Sequence, residues 1–359
     1  MCIRDSFSLI GIMNRTVGLN HTWAGPVYFA VIMIALFAGQ APPFSMPVMD
    51  TSLSWLLQAG VANQYLINPV FQPSTFGVLL IFSIYLFLAE RPYWAAASAA
   101  FAAVMHSTYL PSAAILTAAY IAISIWQDRS WRRAFGIGLI ALALVTPVLL
   151  HNARSLGPTS PELWAQAQDI IVNYRIPHHS LPEIWLDGTV YVKMALVGAA
   201  LFLVRKSRLA VIMGLSAAVA IGFTLVELLW PNDTLAFIAP WRISTFLVPL
   251  SSAVLVGSAM AWCCNRLTDF LTRYRVLALL PALIALVFLG SQGWRAMERN
   301  FAERRADYRT GLYRFVAETS TADDVYLIPT GMAEFRLETG APVLVSFKSH
   351  PYKDTEVIE

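Results

Sequence analysis

The chain alternates long apolar stretches with shorter polar connections. Nine stretches are apolar over enough residues to cross a bilayer, since a helix rises about 1.5 Å per residue and the hydrocarbon core is about 30 Å thick. A spanning segment must also satisfy its own backbone hydrogen bonds, which favours helices. We therefore predict an all-α polytopic membrane protein with about nine transmembrane helices. The spans lie near residues 24–41, 74–89, 92–107, 109–126, 134–150, 189–204, 209–229, 239–262 and 276–293.

Positive charges between these spans fall almost entirely on alternate connections. One set of connections carries twelve Lys and Arg residues, whereas the other carries only Arg154 and Arg175. Because positively charged flanks are retained on the cytoplasmic side, we expect a cytoplasmic amino terminus, outward loops at 42–73 and 151–188, and a tail outside the cytoplasm. The twelve are Arg4, Arg15, Arg91, Arg129, Arg132, Arg133, Arg205, Lys206, Arg208, Arg266, Arg273 and Arg275.

The composition agrees with a membrane protein, because 57% of the residues are hydrophobic and only 13% are charged. The net charge of +3 is small, and we expect no nucleic-acid partner. The three cysteines are Cys2 and the adjacent pair Cys263 and Cys264. This spacing offers neither a disulfide framework nor a zinc site.

These patterns divide the chain into three parts. Residues 1–23 form an N-terminal cytoplasmic segment, residues 24–293 the transmembrane domain, and residues 294–359 an extracytoplasmic C-terminal domain. The opening run, Met1 to Ser6, resembles a sequence-assembly artefact, and the run from Asp354 to Glu359 has the pattern of a helix that has only begun. We expect further sequence at both ends.

The C-terminal part combines helix and strand patterns. From Trp294 to Phe315, apolar residues recur at spacings of three, four and seven, which predicts one amphipathic helical stripe. Strand-like runs follow at residues 324–329 and 342–347. The helix and these runs together predict the start of a small α/β domain. Its core is thin, because about 66 residues carry so few elements.

The first outward loop offers one acidic residue. Asp50 precedes Thr51 to Leu66, an apolar run too short to span the membrane, which we interpret as a helix along the membrane surface. A carboxylate there can meet a lipid headgroup as a catalytic base or a metal ligand. Asp is equally a preferred residue at helix starts, where its oxygens accept backbone N–H bonds. Both roles remain open for Asp50.

The second outward loop concentrates a cation and two imidazoles. The run Ser160-Pro161-Glu162 predicts a helix start, and the helix should end near Tyr174, before Arg175, His178 and His179. On a loop stiffened by prolines, these three groups can clamp phosphate or shuttle a proton. They can also be ordinary solvated loop residues. We predict no cofactor. A divalent metal ion stays an alternative, although adjacent histidines in an extended loop point apart and the ion would need further ligands.

Ionisable residues inside or at the ends of the spans are His106, Lys193, Glu227 and Arg242. In the orientation above, all four lie at the outward ends of their helices. Such groups usually face a cavity, because burying them in lipid is unfavourable. A coupled transporter would favour carboxylates near the midplane, whereas an enzyme acting on a lipid-linked substrate would gather polar groups at one interface. The observed pattern favours the enzyme.

Each of these residues also has a purely structural alternative. Lys193 and Arg242 can extend to the lipid headgroups, and Glu227 can pair with Arg242 across a short turn. His106 can hydrogen-bond within the bundle. Arg242 is our preferred ligand for a lipid phosphate, because a guanidinium matches phosphate oxygens with paired bonds.

Four short runs carry a resemblance to a known type of protein. They are Gln72-Pro73-Ser74-Thr75-Phe76-Gly77, His106-Ser107-Thr108-Tyr109-Leu110, Arg175-Ile176-Pro177-His178-His179 and Phe347-Lys348-Ser349-His350-Pro351-Tyr352. Together they look like an uncharacterised family of bacterial polytopic membrane proteins, over most of the chain. That family is similar in layout to GT-C type glycosyltransferases, which combine a multi-helix membrane domain with outward loops and often a soluble C-terminal domain.

The resemblance implies a multi-pass protein of the bacterial inner membrane that acts in the cell envelope. GT-C enzymes use polyprenyl-phosphate sugar donors, so the implied partners are membrane lipid and such a donor. They typically carry an Asp or Glu in the first outward loop, where this chain has only Asp50. The catalytic candidates are Asp50, Glu227, His178 and His179. The substrate-binding candidates are Arg175, Arg242, His106, Lys348 and His350.

The leading hypothesis is a glycosyltransferase in which Arg side chains hold the lipid phosphate and a carboxylate activates an acceptor hydroxyl. One alternative is a transporter or flippase of a lipid-linked or amphipathic substrate, which inverted repeats and transport without sugar transfer would favour. The other is a non-catalytic membrane assembly protein.

Overall fold

The computed structural model describes residues 2–38, 47–48, 51–62, 64–66, 73–332, 334–345 and 352–359. The chain divides into two compact units. One comprises Met1–Ser155 and Gln168–Val287, and the other comprises Leu156–Ala167 and Phe288–Glu359. Most of the apolar helices belong to the first unit.

The described residues are mostly helical. The helices of the first half are α1 (Cys2–Thr16), α2 (Ala24–Ala38), α3 (Leu53–Gln58), α4 (Val78–Leu88), α5 (Pro92–Met105), α6 (Leu110–Trp126), α7 (Trp131–Ser155) and α8 (Pro161–Asp169). Those that follow are α9 (Pro177–Ser180), α10 (Pro182–Trp185), α11 (Gly188–Val204), α12 (Arg208–Leu229), α13 (Asp233–Ile238), α14 (Ser244–Arg266), α15 (Thr268–Arg273), α16 (Arg275–Ala306), α17 (Thr310–Thr319), α18 (Phe335–Thr339) and α19 (Asp354–Ile358). Short 3-10 helices lie at Leu19–His21, Pro73–Gly77, Ser107–Tyr109 and Pro240–Ile243, and a π-helical turn at Ile170–Arg175. The strands β1 (Pro47–Val48) and β2 (Thr51–Ser52) form an antiparallel pair.

Each of the nine predicted spans contains a helix. Among the described residues, five helical stretches are long and apolar enough to cross a membrane: Ser107–Trp126, Trp131–Ser155, Arg208–Leu229, Asp233–Arg266 and Arg275–Ala306. Shorter apolar helices lie at Ala24–Phe37, Pro73–Leu88, Pro92–Met105 and Gly188–Val204. The chain is therefore a helical, multi-pass membrane protein, and the count of nine crossings stays a prediction.

The first helix lies inside the bundle, although the predicted transmembrane domain begins only at residue 24. Its side chains Leu9, Ile12 and Met13 are fully buried and share one helical face, and α1 packs against α4, α2 and α14. A Cβ on Gly257 of α14 would lie 2.8 Å from the Met13 sulfur. The bundle therefore includes α1, whose polar residues conceal it in a search for apolar spans.

Small side chains bring α5 close to its neighbours. Ala95, Ala96, Ala99 and Ala103 are fully buried, and α5 packs against α4 and α7. Small residues let helix backbones approach closely, which drives association where lipid surrounds the helices. The hydroxyl of Ser83 in α4 donates to the Ala95 carbonyl at 2.8 Å. These contacts hold α4 and α5 together.

Exposed tryptophans lie near the helix ends. Trp94, Trp126 and Trp131 lie near the ends of α5, α6 and α7, and Trp230 follows α12. All four side chains are largely exposed. Indole rings are enriched at membrane–water interfaces, so their positions agree with a bundle that is embedded in lipid.

The predicted surface helix from Thr51 to Leu66 is only partly present. Thr51 and Ser52 pair with β1, and α3 ends at Gln58. Its N-cap is Ser52, whose Oγ accepts the Trp55 N–H at 3.1 Å. The capping role considered for Asp50 therefore belongs to Ser52, because the strand pairing moves the helix start.

The helix start at Ser160 is confirmed. α8 begins at Pro161, and the Ser160 Oγ accepts the Leu163 N–H at 3.2 Å. The α-helix ends at Asp169 rather than near Tyr174, because the chain continues as the π-helical turn Ile170–Arg175.

The second unit has a small core of its own. Tyr313, Val316, Phe335 and Ala341 are buried together. Among the described residues of this unit, the two predicted strands meet in one parallel bridge, between Tyr326 and Val343. The small α/β domain therefore stays a prediction.

The predicted helical stripe of the tail is interrupted. α16 ends at Ala306 and α17 begins at Thr310. Between them, the Asp307 carboxylate accepts the Arg309 N–H at 2.9 Å and the Arg309 Nη2 at 2.7 Å. These bonds stabilise a turn, so the stripe is shared by two helices instead of one.

Candidate functional site

A loop after α3 reaches the start of α14. The Val61 N–H donates to the Ser244 Oγ at 2.9 Å. Gly60 is required at this approach, because a Cβ there would lie 2.5 Å from the Ser244 Oγ and 2.7 Å from the Thr245 nitrogen. The backbone of this loop therefore lies directly against α14.

Lys193, on α11, is the buried cation of this region. Its side chain is only 5% exposed, and its Nζ donates to the Gly60 carbonyl at 2.8 Å. A buried ammonium needs such a partner, because removal from water penalises an isolated charge. The alternative in which Lys193 only extends to lipid headgroups is therefore wrong, since its side chain bonds a loop inside the protein.

Asp187 caps the start of α11. Its Oδ1 accepts the Thr189 N–H at 2.9 Å and the Val190 N–H at 3.2 Å. The pKa of Asp187 lies below its ordinary value, because these bonds and the Lys193 charge outweigh the opposing effect of burial. The carboxylate is therefore ionised at neutral pH.

A cavity of about 370 Å³ adjoins these groups. Lys193, Asp187, His178 and two threonines are among its charged and polar lining residues, and the indoles of Trp55 and Trp185 form apolar walls. Pockets of ~300–1,000 Å³ that combine apolar walls with a few polar groups are typical of small-molecule sites. The cavity can therefore accept a ligand that carries both an anionic group and an apolar face.

The two adjacent histidines have different surroundings. They lie on the short helix α9, with ring centroids 4.1 Å apart. His178 lines the cavity, whereas the His179 Nδ1 lies 2.7 Å from the Ala62 carbonyl. Because a carbonyl only accepts, Nδ1 carries the proton. The Trp241 Nε1 donates to the His179 carbonyl at 2.8 Å, so His179 ties the loop after α3 to the chain before α14.

His179 is neutral at physiological pH. Burial lowers its pKa to about 4, and the charges of His178 and Arg242 act in the same direction, while the bond to Ala62 opposes them. With a pKa of about 4, the imidazole is a weak base, and His179 does not line the cavity. The structure therefore separates the two catalytic candidates and leaves His178 at the cavity.

Arg242 and His106 belong to the same end of the bundle. Arg242 lies in the 3-10 helix Pro240–Ile243, before α14, and its charge acts on both His106 and His179. The chain enters this turn at Ala239 with φ of +47°, a left-handed conformation that a non-glycine residue adopts rarely. The structure thus brings together three of the predicted residues.

Glu227 organises the turn after α12. Its side chain is 4% exposed, and its Oε1 accepts the Asn232 N–H at 3.0 Å. An ion pair between Glu227 and Arg242 was the structural alternative for both residues. The ion pairs among the described residues do not include it. Glu227 does not line the cavity, so its catalytic role has no support from this geometry.

The other candidates lie elsewhere or outside the described residues. Arg175 ends the π-helical turn and does not line the cavity. Asp50, Lys348 and His350 lie outside the described residues. In the described part of the chain, three or more His, Cys, Asp or Glu side chains do not converge on a metal site.

Sequence reasoning missed the aromatic walls and misjudged two polar residues. Trp55 lies in α3 and Trp185 in α10, which are far apart in the sequence, so only the fold brings them together. Asp187 carried a usable signal, because an Asp before Gly188 and an apolar span is a typical N-cap. A lysine inside an apolar helix was the other signal, since such a charge usually faces a cavity.

Comparison with known proteins finds a family match for one part of the chain. Residues 310–359 match a family described as a domain of unknown function, DUF6798. No curated protein and no solved structure matches the chain.

Proposed function

We propose that this protein is a GT-C-like glycosyltransferase that transfers a sugar from a polyprenyl-phosphate donor in the cell envelope of a bacterium. The observation that carries the proposal is the cavity where Lys193, Asp187 and His178 meet the indoles of Trp55 and Trp185. A lipid-linked sugar presents matching groups, namely an anionic phosphate, hydroxyls and the apolar faces of a sugar ring.

Lys193 is the proposed ligand of the phosphate. Its ammonium has three N–H donors, one of which the Gly60 carbonyl accepts. As the bond between the anomeric carbon and the phosphate oxygen breaks, the phosphate leaves with the electron pair, and the nearby cation stabilises it. Arg242 adds a second cation at the same end of the bundle, as the sequence hypothesis assigns it.

His178 is the proposed general base. The acceptor hydroxyl forms the new bond to the anomeric carbon, and its proton passes to the imidazole. The ionised carboxylate of Asp187 lines the same cavity and stabilises the positive charge that develops there. Asp50 remains an alternative base, and Lys348 and His350 remain proposed substrate ligands.

We also propose an orientation in the inner membrane, in which the cavity faces away from the cytoplasm. Nine crossings with a cytoplasmic amino terminus place the tail outside the cytoplasm. The support is the distribution of twelve against two positive charges. The test is labelling of single cysteines in intact cells with a membrane-impermeant reagent, after replacement of the native cysteines. Labelling at exposed Glu183 but not at exposed Lys206 is expected, and the reverse result would refute the orientation.

The activity is tested with the full chain in lipid nanodiscs, supplied with radiolabelled polyprenyl-phosphate sugars and envelope glycan acceptors. We expect transfer by the wild type and its loss in His178→Gln, with Lys206→Met as the matched control. A wild type that neither binds nor transfers these donors contradicts the proposal. Movement of the lipid across proteoliposomes without transfer would assign a transporter, and unchanged envelope glycans after joint replacement of His178 and Lys193 would indicate an assembly protein.

A further inference from the structure

A buried carboxylate in the tail binds the long loop between α7 and α8. Asp354, at the start of α19, is fully buried. Its Oδ2 accepts the Thr159 N–H at 2.5 Å, and its Oδ1 accepts the Thr159 hydroxyl at 2.7 Å. The same Oδ1 accepts the Thr355 N–H at 2.9 Å. One carboxylate thus satisfies both donors of a single loop residue.

A lysine beside this carboxylate adds a second attachment. The Lys353 Nζ donates to the Gly157 carbonyl and lies 3.5 Å from the Asp354 Oδ1. Residues 156–167 belong to the same compact unit as the tail. Lys353, Asp354, Gly157 and Thr159 together form what we call the tail clasp.

The electrostatics of the tail clasp favour the charged form of Asp354. Burial alone would raise its pKa, but the bonds from Thr159 and Thr355 and the Lys353 ammonium lower it to about 2. A carboxylate accepting several N–H and O–H bonds is held in its ionised form. Asp354 is therefore ionised throughout the physiological pH range and can accept the hydrogen bonds from Thr159 and Thr355.

The clasped loop leads directly to the cavity. Thr159 precedes Ser160, whose Oγ caps α8, and the chain continues from α8 through the π-helical turn Ile170–Arg175 into α9. The Ser180 hydroxyl donates to the Val172 carbonyl at 2.8 Å, which joins α9 to that turn. Residues 160–180 thus form a continuous hydrogen-bonded segment, which begins next to Thr159 and includes His178.

We propose that Asp354 and Lys353 are positioning residues, which hold the start of α8 so that His178 stays at the cavity. The role of the clasp in catalysis rests on the proposed function, whereas its role in ordering residues 170–186 does not. It also assigns a task to the region that matches DUF6798, since both residues lie within 310–359. That task is to order residues 170–186, which follow α8.

The ordering is tested by amide hydrogen exchange of the full chain in nanodiscs, without substrate. Asp354→Asn removes the charge, and Thr159→Val removes the hydroxyl from the loop side with little change in shape. In both variants we expect exchange of residues 170–186 to accelerate at least about tenfold. Thr159→Ser keeps the hydroxyl, so we expect residues 170–186 to exchange as slowly in this variant as in the wild type. Glu356→Gln, at an exposed position of α19, is the matched control and should leave exchange unchanged.

The outcome separates positioning from simple attachment of the tail. Faster exchange confined to residues 156–165 and 352–359 would overturn the proposal, because the clasp would then act only locally. Should Asp354→Asn unfold the tail, Thr159→Val still tests the same bond from the loop. In the transfer assay, a displaced His178 should lower kcat with little change in KM. Absence of any transfer by the wild type contradicts the proposed function but leaves the exchange result interpretable.

Discussion

The two ends of the helical bundle differ in what their charged side chains contact. At one end, Glu90 and Asp128 follow α4 and α6, and they pair with Arg133 and Arg208 at the starts of α7 and α12. At the other end, Lys193 bonds a backbone carbonyl and lines a cavity. At the first end, these four charged side chains pair with one another. The end with fewer charges keeps donors and acceptors beside open space, where a ligand can use them.

The ion-pair network joins three connections of the bundle. Arg208 bonds Asp128 at 2.5 Å and Glu90 at 2.6 Å, and Arg133 bonds Asp128 at 2.7 Å. The Asp128 side chain is only 10% exposed, whereas Glu90 is more open to water. The partly exposed pairs of Glu90 contribute modestly to stability, whereas the bonds to the nearly buried Asp128 carboxylate contribute more.

Replacing Lys193 should give the largest effect. Lys193→Met keeps most of the side-chain volume but removes both the bond to the Gly60 carbonyl and the cation at the cavity. We expect sugar transfer to fall about 100-fold or more, as it does when a group that stabilises the leaving charge is lost. Lys206→Met, at the other end, should change the rate by less than about twofold. Equal losses in the two variants would contradict the functional difference between the ends.

Breaking the ion-pair network should lower stability without lowering transfer. Asp128→Asn leaves two guanidinium groups without their shared carboxylate. We expect a loss of about 2 kcal/mol in the free energy of unfolding, measured by denaturant unfolding in detergent micelles. Glu90→Gln, at the exposed member of the network, should lose less than about 0.5 kcal/mol. A fall in sugar transfer with unchanged stability would indicate that catalysis takes place at the end with the ion-pair network, and it would contradict the assignment of catalysis to the cavity end.

Adding one methyl group tests the close approach at the cavity. In Gly60→Ala, the new Cβ would meet the Ser244 Oγ and the Thr245 backbone nitrogen. We expect a loss of about 1.5 kcal/mol, because a well-packed backbone contact must shift. Gly198→Ala on α11 is the control, since its Cβ would meet nothing within 4 Å. Identical stabilities of the two variants would show that the loop does not lie against α14.

Acidification should weaken the cavity end through His179. The pKa of His179 in the folded protein is about 4, below the ordinary value of about 6.5. As the pH falls through this window, the unfolded chain binds a proton that the folded chain does not, so stability decreases. We expect the free energy of unfolding to fall by about 1 kcal/mol between pH 7 and pH 4.5 after solvent screening. The measurement is the shift in the midpoint of thermal unfolding over this pH range.

The matched variant for this pH effect is His179→Asn, whose amide can still donate to the Ala62 carbonyl. Without a titrating imidazole, its stability should fall less than that of the wild type over the same pH range. A wild type and a variant with the same pH profile would show that His179 is not the group responsible.

Particular elements show how far the sequence could be interpreted. Each predicted span contains a helix, because a run of apolar residues has a required length in lipid whatever its neighbours are. α1 escaped notice, since its buried face of Leu9, Ile12 and Met13 is carried on a polar helix. The start of α8 was predictable from Ser160, a local signal, whereas the start of α3 depended on the pairing of β1 with β2.

The candidate site divides along the same line. The sequence by itself determined that the chain is helical and multi-pass, and which ionisable residues lie near helix ends, because hydrophobic length and charge placement are properties of local segments. Only the tertiary structure decided that His178 lines the cavity while His179 bonds Ala62, and that Lys193 faces Gly60 instead of lipid. Those outcomes depend on contacts between residues more than a hundred positions apart, and local patterns carry no information about such pairings.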